Sequence, residues 1–266
     1  MFDNIGFIGC GNMGGAMARA VRKADREARL FFANRSPDKA QALAEELDGQ
    51  VQTNEWVAEH CDLIFLGVKP QMMAQVLSPL SPALSARRDR VVLLTMAAGL
   101  TTETIREMAG GDCPVARIMP NTPSAIGAGV VQLCTLGVTQ EETRALKGLL
   151  TGAGLVDELD EGLIDAACAV SGCGPAFAYL FVEGLVQGGM DCGLSEEKAL
   201  LYAAKMLEGA ARLALESHKD PAALRQAVCS PGGATIQGVH ALERGGFRDV
   251  TVEAVKAAYR RTLELK

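Results

Sequence analysis

The stretch Asn4-Ile5-Gly6-Phe7-Ile8-Gly9-Cys10-Gly11-Asn12-Met13-Gly14-Gly15 places a glycine-rich turn between an apolar run and a segment of helical composition. A strand, the spacing Gly9-x-Gly11-x-x-Gly14 and a helix together form the fingerprint of dinucleotide-binding domains. Gly9 permits the tight turn, Gly11 admits a pyrophosphate close to the backbone, and Gly14 lets the helix pack on the strand. The alternative is a purely structural turn, since glycine is the usual residue of tight turns.

Past this stretch, the first half of the chain alternates short apolar runs with segments of helical composition. The runs predict strands at 30–33, 62–68, 90–94 and 114–119, and the segments between them predict helices at 37–47, 71–84 and 101–108. Continuous apolar strands separated by helices indicate a parallel sheet that is covered on both faces. The sequence therefore predicts an α/β fold with an N-terminal Rossmann-like, doubly wound sheet.

The second half has a different composition, because strand signals end after about residue 158. Stretches rich in Ala, Leu and Gly predict helices at 175–189, 195–216, 221–228, 234–245 and 250–265. A change from alternating strands and helices to helices alone marks a second domain. We therefore predict a nucleotide-binding domain at 1–159 and an all-α C-terminal domain at 160–266.

The C-terminal helical domain is thin and apolar, which indicates a homo-oligomer in which another subunit covers it; packing on its own sheet domain is the alternative.

Composition and charge restrict the classes of partner. The chain has 266 residues and a formal net charge of −6, whereas nucleic-acid surfaces need clustered Lys and Arg, so we expect a small-molecule substrate and no nucleic acid. Eight cysteines occur without a C-x-x-C pair and the three histidines are isolated, which predicts free thiols and no metal site. We find no apolar run near the roughly 20 residues that cross a bilayer. With no signal peptide ahead of the first strand, these features predict a cytoplasmic protein that does not bind membranes.

The residues that follow the second predicted strand indicate the type of cofactor. NAD-preferring domains place Asp or Glu there to accept a hydrogen bond from the ribose 2′-hydroxyl. This chain has Ala33-Asn34-Arg35-Ser36 and no carboxylate. Arg35 can pair bidentately with a 2′-phosphate, with Asn34 and Ser36 as further donors. The sequence therefore predicts NADPH as the preferred cofactor and NADH as a weaker one; a solvated Arg35 with no ligand is the alternative.

A second glycine-rich helix start lies in the helical half, at Cys229-Ser230-Pro231-Gly232-Gly233-Ala234-Thr235. Unpaired backbone N–H groups at such a helix start can hold an anion the size of one carboxylate, within reach of the Thr235 hydroxyl. A plain link between helices is the alternative. The loops at 67–71 and 119–123 follow predicted strands, where open α/β sheets bind ligands. Rigid turns without a ligand are the alternative for both.

Together these motifs resemble those of a known family, pyrroline-5-carboxylate reductase, the last enzyme of proline biosynthesis. The matching pieces follow one another in order over nearly the whole length: Phe7-Ile8-Gly9-Cys10-Gly11-Asn12-Met13, Val68-Lys69-Pro70-Gln71, Met119-Pro120-Asn121-Thr122-Pro123, Ser171-Gly172-Cys173-Gly174-Pro175-Ala176 and Ser230-Pro231-Gly232-Gly233-Ala234-Thr235. The last two pieces together are far more specific than the glycine fingerprint.

The resemblance implies a ligand for each matched loop. The cofactor-binding residues would be Ile8, Gly9, Cys10, Gly11, Asn12, Met13, Asn34, Arg35, Ser36, Asn54, Val68, Lys69, Pro70, Gln71, Ala97 and Ala98. The substrate-binding residues would be Asn121, Val228, Ser230, Gly232, Gly233, Ala234 and Thr235, with the substrate carboxylate on the amides of Gly232, Gly233 and Ala234. The resemblance also implies interlocked dimers built from the helical domain, which assemble further into rings such as a decamer.

The activity that the resemblance implies is NAD(P)H-dependent oxidoreduction, with hydride transfer from NADPH to the C=N bond of 1-pyrroline-5-carboxylate to give L-proline. Thr235 is the expected catalytic residue, because its hydroxyl would hydrogen-bond and orient the ring nitrogen. One alternative is a β-hydroxyacid dehydrogenase, which uses a lysine on the first long helix of its second domain; the helix predicted at 175–189 contains none. Another is a non-catalytic NADP-binding redox sensor, with Cys10 or Cys173 as its thiol.

Overall fold

An eight-stranded sheet forms the centre of the first half in the computed structural model, which describes residues 2–264. Its strands are β1 (Asn4–Ile8), β2 (Arg29–Ala33), β3 (Gln50–Val51), β4 (Leu63–Leu66), β5 (Val92–Thr95), β6 (Val115–Pro120), β7 (Gly129–Leu136) and β8 (Gly154–Glu158). They lie in the order β3-β2-β1-β4-β5-β6-β7-β8. The first six follow the Rossmann order, with the chain reversing direction across the sheet between β1 and β4. The predicted α/β class is confirmed.

Seven helices accompany these strands: α1 (Asn12–Ala24), α2 (Pro37–Leu47), α3 (Asn54–His60), α4 (Met73–Ala86), α5 (Thr102–Met108), α6 (Gln140–Leu150) and α7 (Glu161–Ser171). Two apolar clusters cover opposite faces of the sheet, because successive strand side chains point to opposite sides. On one face, the Phe7 ring of β1 stacks between those of Phe32 and Phe65 on the two neighbouring strands, at centroid distances of 5.4 and 4.6 Å. The central strands are therefore buried on both sides, which explains their continuous apolar runs.

The sheet extends further than the sequence predicted, since β3, β7 and β8 were missed. After β6, a 3-10 helix of five residues at Thr122–Ile126 reverses the chain, and β7 pairs antiparallel to β6. β8 then pairs parallel to β7 at the outer edge, where its residues are largely exposed. An exposed edge strand carries no apolar run, so sequence hydrophobicity gave little signal for it.

A buried ion pair fixes α7 to the sheet. The Arg117 guanidinium of β6 is 1% exposed as a side chain and donates to the Asp165 carboxylate of α7 at 2.8 Å. Glu161, at the start of α7, approaches the same guanidinium at 3.5 Å and accepts from the amide and hydroxyl of Thr102 at 2.7 and 2.9 Å. Because a buried charge without a partner is costly, these contacts hold α7 in one place over β6.

The chain divides into two compact units at a different point from the predicted boundary of 159/160. One unit comprises the chain up to Cys173 together with the residues from Ala258 onward, and the other is Gly174–Ala257. The ion pair of Arg117 explains the difference, because it keeps α7 with the sheet although its sequence is helical and apolar. A functional division at 159/160 stays a prediction.

The second unit holds the helices α8 (Gly174–Asp191), α9 (Glu196–Ser217), α10 (Pro221–Ala227), α11 (Ala234–Arg244) and most of α12 (Phe247–Leu263). These bounds lie within a few residues of the predicted helices; the predicted end at Leu265 lies outside the described residues. Within this unit only Ala199 and Ala203 are buried. Large apolar side chains such as Leu180 and Leu215 are 70% and 77% exposed. A single copy of these helices has almost no core.

One expectation about apolar runs was wrong. The helical stretch Glu161–Asp191 has 31 residues and is apolar enough, by length and composition, to cross a membrane, with 6% of its apolar window buried. The stretch between Asp165 and Glu183 carries no charge, but Ser, Gly and Pro residues interrupt it, so it does not form one continuous apolar run in the sequence. The part of this stretch from Gly174 onward belongs to the helical unit, where no residue before Ala199 is buried.

Candidate cofactor and substrate sites

Three glycines meet at the carboxyl ends of β1 and β4. The Gly9 backbone has φ of 102°, a conformation that residues other than glycine rarely adopt. A Cβ atom on Gly14 would lie 2.1 Å from the Gly9 carbonyl oxygen, and one on Gly67 would lie 2.4 Å from the same atom. Both distances are far shorter than any real contact, so the Gly9 carbonyl fits only because both neighbours lack side chains. Gly67 begins the loop 67–71 that the sequence predicted at this edge, although the cofactor-binding residues predicted in that loop began at Val68.

This meeting point is where α/β sheets bind ligands. The order of strands reverses between β1 and β4, and the crevice outside their carboxyl ends is the usual binding position in open α/β sheets. Gly67 follows β4 directly, and its amide donates to the Ile8 carbonyl at 2.8 Å. The Gly9 amide donates to the Ala33 carbonyl at the end of β2, also at 2.8 Å. The fingerprint loop is thus tied to both strands that flank β1.

The amides at the start of α1 fit an anion. Gly11 is the N-cap residue of α1, and no side chain caps the helix. The first amides of a helix have no partner within it, and they form its positive end. A Cβ atom on Gly11 would meet nothing within 4 Å, so its backbone faces open space. The loop therefore has both the donors and the room that a pyrophosphate needs, and binding of a pyrophosphate here stays a prediction.

Among the three residues predicted to surround the adenosine phosphate, Asn34 differs from Arg35 and Ser36 in the exposure of its side chain. Arg35 and Ser36 are exposed after β2 and their side chains are available to a ligand. Asn34 is half-buried, and its side-chain oxygen accepts from the Cys10 amide at 2.9 Å while its NH₂ group donates to the Ser36 carbonyl at 2.9 Å. Asn54 begins α3, which Thr53 caps by accepting from the Trp56 amide.

The residues predicted near the nicotinamide lie after β4 and β5. Val68 and Lys69 continue from Gly67, and Pro70 begins a single-turn 3-10 helix at Pro70–Met72 that leads into α4. Lys69 and Gln71 are exposed. After β5, the Ala97 amide donates to the Thr95 hydroxyl at 3.2 Å, which shapes the turn holding Ala97 and Ala98. Both loops follow strands that neighbour each other, so their backbones share one edge of the sheet.

Asn121 is buried at the end of β6, and its polar atoms are engaged within the first unit. Its NH₂ group donates to the Ser171 carbonyl at 2.9 Å, and its oxygen accepts from the Val130 amide at 3.0 Å. Gln132 of β7 donates to the Ser171 hydroxyl at 2.7 Å. Asn121 therefore joins β6, β7 and the end of α7. The predicted substrate contact of this residue stays a prediction.

The second glycine-rich helix start forms an open turn between α10 and α11. Gly232 has φ of 72°, and the Gly233 amide donates to the Ser230 carbonyl at 3.0 Å, which closes the turn. Gly233 is the N-cap residue of α11, and no side chain caps this helix. Thr235 lies on the first turn of α11 and is exposed, as are Ser230 and Ala234. Of the three amides predicted to hold a carboxylate, the Gly233 amide is thus engaged within the turn.

Comparison with known proteins places both halves of the chain. A family model for pyrroline-5-carboxylate reductase dimerisation matches residues 161–265, and a model for NADP oxidoreductases, coenzyme F420-dependent, matches residues 4–99. Pyrroline-5-carboxylate reductase 3 of Danio rerio is 37% identical over 264 residues, covering 98% of this chain and 91% of the relative. The chain belongs to the pyrroline-5-carboxylate reductase family. The resemblance found in the sequence motifs is confirmed.

Solved structures of the pyrroline-5-carboxylate reductase family share the fold over the full length. The enzyme of Coxiella burnetii matches with a TM-score of 0.90 and 33% identity, covering 99% of this chain and 98% of the other. The Plasmodium falciparum pyrroline carboxylate reductase, solved with NADP bound, matches with a TM-score of 0.86 and 30% identity, covering 98% and 97%. The predicted Rossmann-like domain followed by helices is therefore the fold of the pyrroline-5-carboxylate reductase family.

The thiol of the fingerprint loop is poorly suited to a redox sensor. Cys10 is 6% exposed, and burial raises the pKa of its thiol to about 11. Cys173, the other thiol considered for a sensor, is half-buried. The thiolate is the reactive form of cysteine, so the raised pKa keeps the Cys10 thiol in its less reactive form. Within residues 2–264, no three His, Cys, Asp or Glu side chains gather as a group that could hold a metal ion.

Proposed function

We propose that this chain is a pyrroline-5-carboxylate reductase, which reduces 1-pyrroline-5-carboxylate to L-proline in the last step of proline biosynthesis. The observation that supports this most is the family relationship over 98% of the chain. Both glycine-rich helix starts that the reaction needs are present, and no side chain caps either helix. A dinucleotide and a small carboxylate are the ligands that suit them.

NADPH is the proposed cofactor, and when bound it supplies a hydride. The amides at the start of α1 would hold its pyrophosphate, with the backbone of Gly11 close to the phosphates. Arg35 and Ser36 would bind the 2′-phosphate, since both are exposed and the end of β2 carries no carboxylate. Residues 68–71 and 97–98 would border the nicotinamide. NADH would bind more weakly because it lacks the 2′-phosphate.

The turn from Ser230 to Thr235 is the proposed substrate site. The amides of Gly232 and Ala234 would donate to the substrate carboxylate, and Gly233 would keep the turn closed through its bond to Ser230. In the reaction, hydride adds to the imine carbon, and the electron pair of the C=N bond moves to the nitrogen. The imine enters already protonated, so no proton donor is needed in that step. Thr235 would hold the N–H group by accepting its hydrogen bond.

A second copy of the chain is the proposed cover of the helical unit. Only two residues of this unit are buried in one copy, and its apolar side chains are largely exposed. The family model that matches this region is described as a dimerisation model. We propose a dimer through the helices, assembled further into a ring such as a decamer, in a cytoplasmic enzyme that does not bind membranes. In this arrangement the apolar face of 161–191 would lie against protein.

The assay is loss of NADPH absorbance with and without 1-pyrroline-5-carboxylate. Turnover that depends on the imine supports the reductase, whereas tight NADPH binding without turnover supports the redox sensor. Turnover of a β-hydroxyacid with NADP in place of the imine supports the dehydrogenase.

Within the assay, Thr235→Ala should lower kcat about ten- to a hundredfold, because one lost hydrogen bond to a charged group is about 1.5–3 kcal/mol. Thr235→Ser keeps the hydroxyl and should retain most activity; equal activity of all three proteins would remove Thr235 from the mechanism.

A further inference from the structure

The side chain of Asn34 joins two backbone segments at the cofactor edge of the sheet. Its oxygen accepts from the Cys10 amide in the fingerprint loop at 2.9 Å, 24 positions away in the chain. Its NH₂ group donates to the Ser36 carbonyl at 2.9 Å. The amide plane of Asn34 is therefore held at both ends, with its acceptor directed at the loop that follows β1.

These two bonds limit what Asn34 can offer a ligand. A side-chain amide has one oxygen acceptor and two N–H donors. The oxygen is directed at Cys10 and would repel an anion, and one N–H group is directed at Ser36. Arg35 and Ser36, in contrast, are exposed. A 2′-phosphate therefore finds its charge partner in Arg35, while Asn34 keeps only one N–H group beyond its two bonds to the backbone.

The Cys10 amide lies between the end of the β1–β2 pairing and the start of α1. The preceding amide, that of Gly9, donates to the Ala33 carbonyl at the end of β2, and the Cys10 amide donates to the next residue, Asn34. The following residue, Gly11, begins the uncapped amides of α1. Asn34 thus extends the pairing of β1 and β2 by one bond beyond the sheet, and this bond sets the position at which the amides of α1 start.

We propose that Asn34 is a positioning residue for the fingerprint loop, and that it acts on the pyrophosphate half that NADPH and NADH share. Discrimination between the two cofactors then belongs to Arg35 and Ser36. The binding test of this inference rests on the proposed function, whereas its second test rests only on the hydrogen bond from the Cys10 amide to the Asn34 side chain. It assigns Asn34 a role different from the 2′-phosphate contact that the sequence suggested.

The binding test measures the Kd of NADPH and of NADH for the purified protein and for the variants Asn34→Ala and Arg35→Ala. Asn34→Ala should weaken both cofactors by the same factor, roughly tenfold for a lost hydrogen bond that orders the loop. The ratio of the two Kd values should stay within about twofold of the starting protein. Arg35→Ala is the matched contrast, because it should weaken NADPH and leave the Kd of NADH nearly unchanged. A loss confined to NADPH in Asn34→Ala, or no loss at all, overturns the inference.

The second test needs no cofactor. Hydrogen exchange at the Cys10 amide should be faster in Asn34→Ala, while the neighbouring Gly9 amide, bonded to Ala33, keeps its protection. Asn34→Asp retains an acceptor oxygen and should keep the Cys10 amide protected. Unchanged Cys10 exchange in Asn34→Ala would contradict the positioning role even if the protein bound neither cofactor. Failure of the starting protein to bind NADPH, with the expected exchange pattern, would instead count against the proposed function.

Discussion

Gly67→Ala tests the close approach of the Gly67 and Gly9 backbones. A Cβ atom at this position would lie 2.4 Å from the Gly9 carbonyl oxygen, against a real minimum of about 3.0 Å. Both atoms belong to the backbone or are fixed to it, so no side-chain rotation can relieve the overlap. The loop after β1 or the strand end at β4 has to move by roughly half an ångström or more. We expect a loss of about 1–3 kcal/mol in the free energy of unfolding, the usual cost of overpacking.

The same displacement should weaken cofactor binding, because it moves the loop whose uncapped amides are proposed to hold the pyrophosphate. Gly11→Ala is the matched control. Its Cβ atom would meet nothing within 4 Å, so the free protein should keep its stability, while the new methyl group occupies the space proposed for the pyrophosphate. Gly67→Ala should therefore lower both Tm and NADPH affinity, and Gly11→Ala should lower affinity alone.

The measurements are thermal unfolding without cofactor and titration with NADPH for the two variants and the starting protein. A loss of 1–3 kcal/mol corresponds to a fall in Tm of about 2–12 °C for a chain of this size. If Gly67→Ala unfolds at the starting temperature and binds NADPH equally well, the close approach of the two backbones is not required. Destabilisation by Gly11→Ala would show that the space next to that residue is filled in solution.

Three further outcomes are expected. Asp165→Ala leaves Arg117 buried without its closest partner and should cost about 3–5 kcal/mol in thermal or denaturant unfolding; a loss below 1 kcal/mol would contradict the anchoring of α7. The Arg90 guanidinium, through its hydrogen bond, lowers the pKa of the Glu142 carboxyl. The contact between Arg90 and Glu142 therefore stabilises the fold above the unfolded glutamate pKa of about 4.3, and this stabilisation is lost as the pH falls through the lower folded pKa. Arg90→Met should lower the free energy of unfolding at pH 7, and the difference from the starting protein should disappear in acid. Leu180→Lys places a charge on the uncovered apolar face and should shift size-exclusion elution toward the monomer, and an unchanged elution volume would move the interface elsewhere.

Local sequence pattern was sufficient for the parts of the fold that depend on local chemistry. The run before Gly9 is apolar because β1 is buried on both faces, and the helices of the second half follow their composition to within a few residues. The capping box of Thr139 and Glu142 is equally local, since both of its hydrogen bonds join residues three positions apart. These features need only the residues beside them in the chain.

The missed features depend on contacts between distant segments. The need for glycine at Gly67 comes from a carbonyl 58 positions earlier, and its own neighbours in the chain indicate only a loop after a strand. The bond of Asn34 to Cys10 and the bonds of Asn121 to Ser171 and Val130 have the same character. Sequence motifs predicted these asparagines as site residues, whereas only the structure shows which partners hold them.

The scarcity of buried residues in Gly174–Ala257 has a consequence for the life of the chain in a cell. If a second copy supplies the missing core, folding of these helices is a bimolecular event, and the folded fraction rises with the amount of protein made. Newly synthesised chains at low abundance would remain open to proteases until they meet one another. Expression level would then set not only how much enzyme is present but also what share of it survives.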